Sequence, residues 1–209
     1  MKYSDPVKVE EDLDTIAGVG VTDASIHALC AHPKYDTVQN ISALWWKQRY
    51  QKIKLRVFGS FHETDLYRNI PYEKQAEELI RMGCDGIKLF HVKPDLRKLL
   101  GKGINHPDYD RALSYMEERE IPVLIHSGDP ETFWDLSQMT PFEIERGWYY
   151  GDGTFMSREK YYEEDFEMLA KHPKLKVTFA HFFFLSNFPE EAERILNQYP
   201  NVRFDLTPG

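Results

Sequence analysis

Several things are scarce in this sequence. No apolar stretch approaches the ~18 residues of a membrane-spanning helix, so no place in the bilayer is expected. Basic residues number 26 against 34 acidic ones, for a formal net charge of −8, which argues against a nucleic-acid-binding face. There are 2 cysteines. Cys30 and Cys84 stand too far apart for a Cys-x-x-Cys pair and read as buried thiols of a reducing, cytoplasmic compartment. The N-terminal dozen or so residues are acidic and lack an apolar centre, so they do not read as a signal peptide. Low-complexity segments and close internal repeats are missing. So is a glycine-rich nucleotide loop: Gly101-Lys-Gly103 has the wrong spacing and follows no strand directly.

What is present is a packable chain of 209 residues, 42% hydrophobic and 14% aromatic. That composition suits one sizeable core and is incompatible with disorder throughout, so residues 1–209 are expected to form a single domain. Strand patterns fall at 22–29, 55–62, 86–91, 122–126, 176–181 and 202–206. Helical patterns fall at 9–19, 38–51, 72–82, 108–120, 158–171 and 190–198. Strands starting roughly 30 residues apart have the spacing of repeating βα units, which build a parallel sheet. A (β/α)8 barrel and a doubly wound open sheet both satisfy this pattern, and the want of a nucleotide loop speaks against the second. One long connection, residues 128–157, is rich in Trp, Tyr, Pro and Gly. A loop of that length inside a compact domain is usually a lid or a pocket wall.

The 8 histidines divide into two sets. His32, His106 and His172 each precede proline and read as turn residues. His27, His62, His91, His126 and His181 lie at or near the C-terminal ends of strands, the face where parallel α/β proteins keep their sites. Converging imidazoles suggest a metal site. Strand alternation places His126 with Leu124, and His181 with Phe179 and Val177; both are expected to point inward at a barrel mouth. In Gly86-Ile-Lys-Leu-Phe-His91, packing of Ile87 and Leu89 under helices sends Lys88 inward and His91 outward. An inward lysine implies a carbamylated metal bridge, a Schiff base, an anion holder, or simply an ion pair with a carboxylate. Asp205 can face inward in the same way.

Four runs in order carry a family resemblance: Gly86-Ile-Lys-Leu-Phe-His91, Pro122-Val-Leu-Ile-His-Ser-Gly-Asp-Pro130, Val177-Thr-Phe-Ala-His181 with Phe182, and Asn201-Val-Arg-Phe-Asp205. Together they resemble the amidohydrolase-related (amidohydrolase 2) family of metal-dependent hydrolases, and match strands 4 to 7 of its distorted (β/α)8 barrel. The resemblance implies an α/β fold of TIM-barrel type with about six parallel strands. It implies that His126 ligates a divalent metal, usually zinc, and that His181 ligates a second metal or contacts substrate and water. Lys88 would hold a substrate carboxylate. Asp129, Asp205, Trp134 and His62 are the further substrate-binding candidates. The family's strand-1 His-x-His pair and strand-8 aspartate have no counterpart here, so a fragment lacking strands 1 and 8 is expected.

The activity so implied is hydrolysis of a C–N or C–O bond of a small molecule by metal-activated water. Decarboxylation on the same metal site is the sibling outcome. A Schiff-base lyase or aldolase using Lys88 is a second hypothesis. An inert or purely binding chain, with weak or no zinc uptake, is a third. Open sheet edges invite self-association into a homo-oligomer.

Overall fold

The computed structural model describes residues 6–30, 39–63 and 69–207. His32, one of the histidines assigned to turns, lies outside the described residues. In chain order the regular elements are α1 (Pro6–Gly18), β1 (Asp23–His27), α2 (Gln39–Arg49), β2 (Lys54–Gly59), α3 (Tyr72–Met82) and β3 (Gly86–Leu89). They continue as α4 (Pro94–Leu100), α5 (Pro107–Glu118), β4 (Val123–Ile125), α6 (Pro141–Glu145), α7 (Arg158–Lys171), β5 (Val177–Phe179), α8 (Pro189–Gln198) and β6 (Val202–Phe204).

The six strands form one sheet in the order β1-β2-β3-β4-β5-β6, and every neighbouring pair is parallel. A doubly wound sheet reverses its strand order at a switch point. Here every crossover steps one strand in the same direction, so the sheet is the curled wall of an incomplete (β/α)8 barrel.

Register sorts the side chains onto two faces. Ile87, Val123, Val177 and Val202 align across β3 to β6, as do Leu89, Ile125, Phe179 and Phe204. Ile87, Leu89, Val123, Ile125, Phe179 and Val202 are fully buried. They pack against Ala76 and Leu79 of α3, Leu113 and Met116 of α5, Leu169 of α7 and Ile195 of α8. Each such aliphatic or aromatic side chain contributes on the order of 1.5–3 kcal/mol of burial free energy. This is the outer, helix-covered face and it holds the main core.

The opposite, inner face runs from Lys88 through Leu124 and Thr178 to Arg203. Lys88 and Leu124 in the middle are buried, whereas Arg56 and Arg203 towards the sheet edges are exposed. As the sequence alternation implies, Lys88 lies on this face. His91 lies on the other, fully buried against Phe61, Tyr72 and Tyr109. Gly86 shares the Lys88 face and has no room to be anything else. A Cβ there would stand 2.5 Å from a Phe58 ring carbon and 2.6 Å from the Pro122 carbonyl oxygen.

Two histidines assigned to turns have definite structural tasks. His106 caps α5, its ring nitrogen accepting the Asp108 N–H at 3.2 Å. His172 is a buried cross-link, its Nε2 lying 3.1 Å from Asp110 of α5. Both cysteines are buried, and they form no disulfide with each other. The connection 128–157 carries two 3-10 turns and α6, and builds a satellite core of Phe133, Met139 and Tyr150 with Trp134, Trp148, Tyr149 and Phe155.

Candidate functional site

At the C-terminal edge of the sheet two imidazoles meet. His126 follows β4 without a break, its N–H donating to Leu89 O at 2.9 Å. It therefore keeps the parity of Leu124 and turns inward. His181 reaches the same place by a different route from the one strand alternation suggests. Val177 and Phe179 belong to the outer face, so a straight continuation would bury His181 beneath the helices. Instead four consecutive non-glycine residues are left-handed: His181, Phe182, Phe183 and Phe184 have φ of 58°, 54°, 56° and 52°. That turn swings the His181 ring across to His126.

A left-handed turn of L-residues costs about 1–2 kcal/mol per residue and persists only where its surroundings hold it. Arg158 Nη2 donates to Phe184 O and the Tyr162 hydroxyl to Phe183 O, each at 3.0 Å. The buried Phe183 ring stacks on Phe179 with centroids 3.9 Å apart. The Phe182 N–H donates to Asp205 O at 2.7 Å.

The His126 Nδ1 and His181 Nε2 atoms lie 3.2 Å apart. Their other ring nitrogens have fixed partners. His126 Nε2 is 3.1 Å from Asp129 Oδ1, and His181 Nδ1 is 3.1 Å from the Thr207 carbonyl oxygen. Asp129 is held ionised: burial pushes its carboxyl up, but the His126 hydrogen bond and the Lys93 charge outweigh it and the net shift is downward. Lys93 and Tyr150 both donate to its Oδ2. A carboxylate and a carbonyl only accept, so the protons sit on His126 Nε2 and His181 Nδ1. With both rings neutral, two lone pairs then face each other. Burial lowers the His126 pKa to about 4, so at neutral pH a proton on His126 does not relieve that opposition.

These hydrogen bonds suit a shared cation. Metal-bound imidazoles typically donate the remote N–H to a carboxylate or a backbone carbonyl, and both rings do. Bonds of about 2.0–2.1 Å in tetrahedral geometry set two nitrogens roughly 3.3 Å apart, close to the observed separation. The pair fits as two ligands. Among the described residues no group of three His, Cys, Asp or Glu side chains is placed to hold a metal ion.

Around the pair, Lys88 occupies the middle of the inner face. Burial lowers its pKa to about 8, and the nearby Asp205 charge only partly opposes this. His27 is exposed at the end of β1, with Ser25 Oγ 2.8 Å from its Nε2. Asp205 accepts the His181 N–H at 2.8 Å. Trp134 and His62 are not brought to the pair. The Trp134 indole donates to Met156 O within the aromatic loop. His62 sits after β2, with Asn40 at 3.2 Å and Gln75 bonded to its main chain. Lys93 and the specific tie of Tyr150 to Asp129 escape sequence reasoning. The available signal was a lysine at the head of α4, directly before Pro94.

A sequential parallel sheet with paired imidazoles at its C-terminal mouth is the wall of an incomplete (β/α)8 barrel of TIM type. The chain belongs to the amidohydrolase family, whose family model matches residues 17–208. No individually curated protein matches the sequence. Several solved structures are similar in fold. The 4-oxalomesaconate hydratase of Rhodopseudomonas palustris is 14% identical, with TM-score 0.59 over 96% of this chain and 59% of that one. An uncharacterized TIM-barrel protein of Bordetella bronchiseptica is 15% identical, with TM-score 0.55 over 95% and 59%. The 5-carboxyvanillate decarboxylase of Novosphingobium aromaticivorans, solved with manganese and 4-hydroxy-3-methoxy-5-nitrobenzoic acid, is 16% identical, with TM-score 0.53 over 95% and 55%. The chain thus spans between 55% and 59% of the length of these structures.

Proposed function

We propose that this chain carries the metal-binding wall of a metal-dependent hydrolase that cleaves a C–N or C–O bond of a small molecule. The observation that carries the reading is the 3.2 Å approach of His126 Nδ1 and His181 Nε2, with an acceptor beside the far nitrogen of each ring. A divalent ion held there, zinc in this proposal, would act as a Lewis acid and bring the pKa of a bound water towards ~7. The residues of the chain supply the rest. Asp129, itself held by Lys93 and Tyr150, keeps the His126 ring in one tautomer. Lys88 offers a cation on the inner face, suited to a carboxylate or another anionic group of the substrate. The dry setting of Lys88 and His126 strengthens such contacts. We assign no nucleic-acid or membrane partner, and the edges of β1 and β6 are where copies of the chain would associate. No helix among the described residues is long and apolar enough to cross a membrane.

A second reading, decarboxylation on the same metal site, is favoured by Lys88. A buried cation beside the imidazole pair suits a substrate whose scissile group is itself a carboxylate, and one of the similar structures is named as a decarboxylase.

Calorimetric titration of the chain with Zn2+ and Mn2+ tests the metal assignment. One weak equivalent is expected in the wild type and none in His126→Ala or His181→Ala. Undiminished uptake by both variants overturns the assignment.

A further inference from the structure

The imidazole pair depends on a clamp contributed from the last strand. Asp205 Oδ1 accepts the His181 N–H at 2.8 Å and the Thr207 N–H at 3.1 Å, the second bond closing an Asx-type turn. The Asp205 carbonyl accepts the Phe182 N–H at 2.7 Å, and the Asp205 N–H donates to Phe179 O at 3.0 Å. The Thr207 carbonyl, oriented by that turn, receives the His181 Nδ1–H at 3.1 Å. One carboxylate therefore governs both ends of His181: its left-handed backbone and the acceptor that sets its tautomer.

We propose that Asp205 is a positioning residue for His181. It stabilises the left-handed turn and, through Thr207, keeps the proton on Nδ1 and the lone pair on Nε2 facing His126. The functional meaning of this role rests on the metal reading above, but the clamp itself exists without metal.

Imidazole-nitrogen NMR on the metal-free, 15N-labelled chain reads the His181 tautomer, and titration with Zn2+ reads affinity. Asp205→Ala is expected to stay folded, to mix the two tautomers and to weaken Zn2+ uptake by about 10–100-fold. Asp205→Asn keeps an accepting oxygen and is expected to restore the Nδ1–H form. A folded Asp205→Ala chain with a single Nδ1–H tautomer overturns the proposal. If Asp205→Ala does not fold, the wild type decides. A protected His181 amide with an Nδ1–H ring supports the clamp, while an Nε2–H ring or a freely exchanging amide overturns it. A wild-type chain that shows the clamp but takes up no Zn2+ leaves Asp205 in this role and removes the metal reading instead.

Discussion

The Tyr150 hydroxyl donates to Asp129 Oδ2 at 2.7 Å. Burial and the Asp129 charge push the tyrosine pKa up, so it stays a donor. Through this bond the aromatic connection is fastened to the carboxylate that orients His126. Tyr150→Phe removes one donor from a buried anion and leaves Lys93 in place. A loss of about 1–3 kcal/mol in urea unfolding is expected, with new mobility in residues 128–157. An unchanged midpoint and unchanged amide exchange in the loop would show that the bond holds nothing.

Acid should destabilise the fold through His91. Burial lowers its pKa to about 3 from the usual 6.5. Between those values the unfolded chain binds a proton that the folded chain does not, so stability is full above about 6.5 and is lost as pH falls through that window. Denaturant midpoints measured from pH 7 to pH 4 should fall steadily. Replacing His91 by Phe should flatten part of the slope, and an identical slope in that variant would assign the effect elsewhere.

Lys88 should act as an anion holder and not as a Schiff-base nucleophile. With a pKa lowered to about 8, it is protonated at neutral pH and loses its charge above that value. Binding of a simple aromatic carboxylate such as benzoate should weaken as pH rises through about 8, and by about 10-fold or more in Lys88→Met. Borohydride with a keto acid should leave no adduct on Lys88; a trapped adduct would favour lyase chemistry.

Gly86→Ala should be among the most damaging single-methyl additions. The new carbon would meet the Phe58 ring at 2.5 Å and the Pro122 carbonyl at 2.6 Å. Overpacking costs about 1–3 kcal/mol or more. Phe58→Leu should rescue only part of it, because the second clash is with backbone. Full rescue in thermal unfolding would mean that the carbonyl yields.

The parallel sheet and its outer face are legible in the sequence because Ile87, Leu89, Val123, Ile125, Val177 and Phe179 form short apolar runs at βα spacing. Helices α3 and α7 fall at their expected bounds, closed by a glycine cap at Gly83 in one case and opened after Ser157 in the other. Helix α4 carries Pro94 at its start and Gly101 at its end, but its seven residues give too little periodicity to stand out in the sequence. His126 was placed by strand alternation. The position of His181 depends on a left-handed turn written in His-Phe-Phe-Phe, where no glycine announces it. The ties of Lys93 and Tyr150 to Asp129 join residues 36 and 21 positions apart, and no local pattern encodes them.

The clamp from Asp205 to His181 also orders events in time. Their contact closes 24 residues of chain, including α8, and loop closure of that kind must precede any benefit from the contact. Before β6 docks, the left-handed turn lacks the two bonds that Asp205 accepts from the His181 and Phe182 N–H groups. The full clamp on His181 is therefore expected to complete only when the last strand joins the sheet, and protection of the His181 amide would be a kinetic marker of that step.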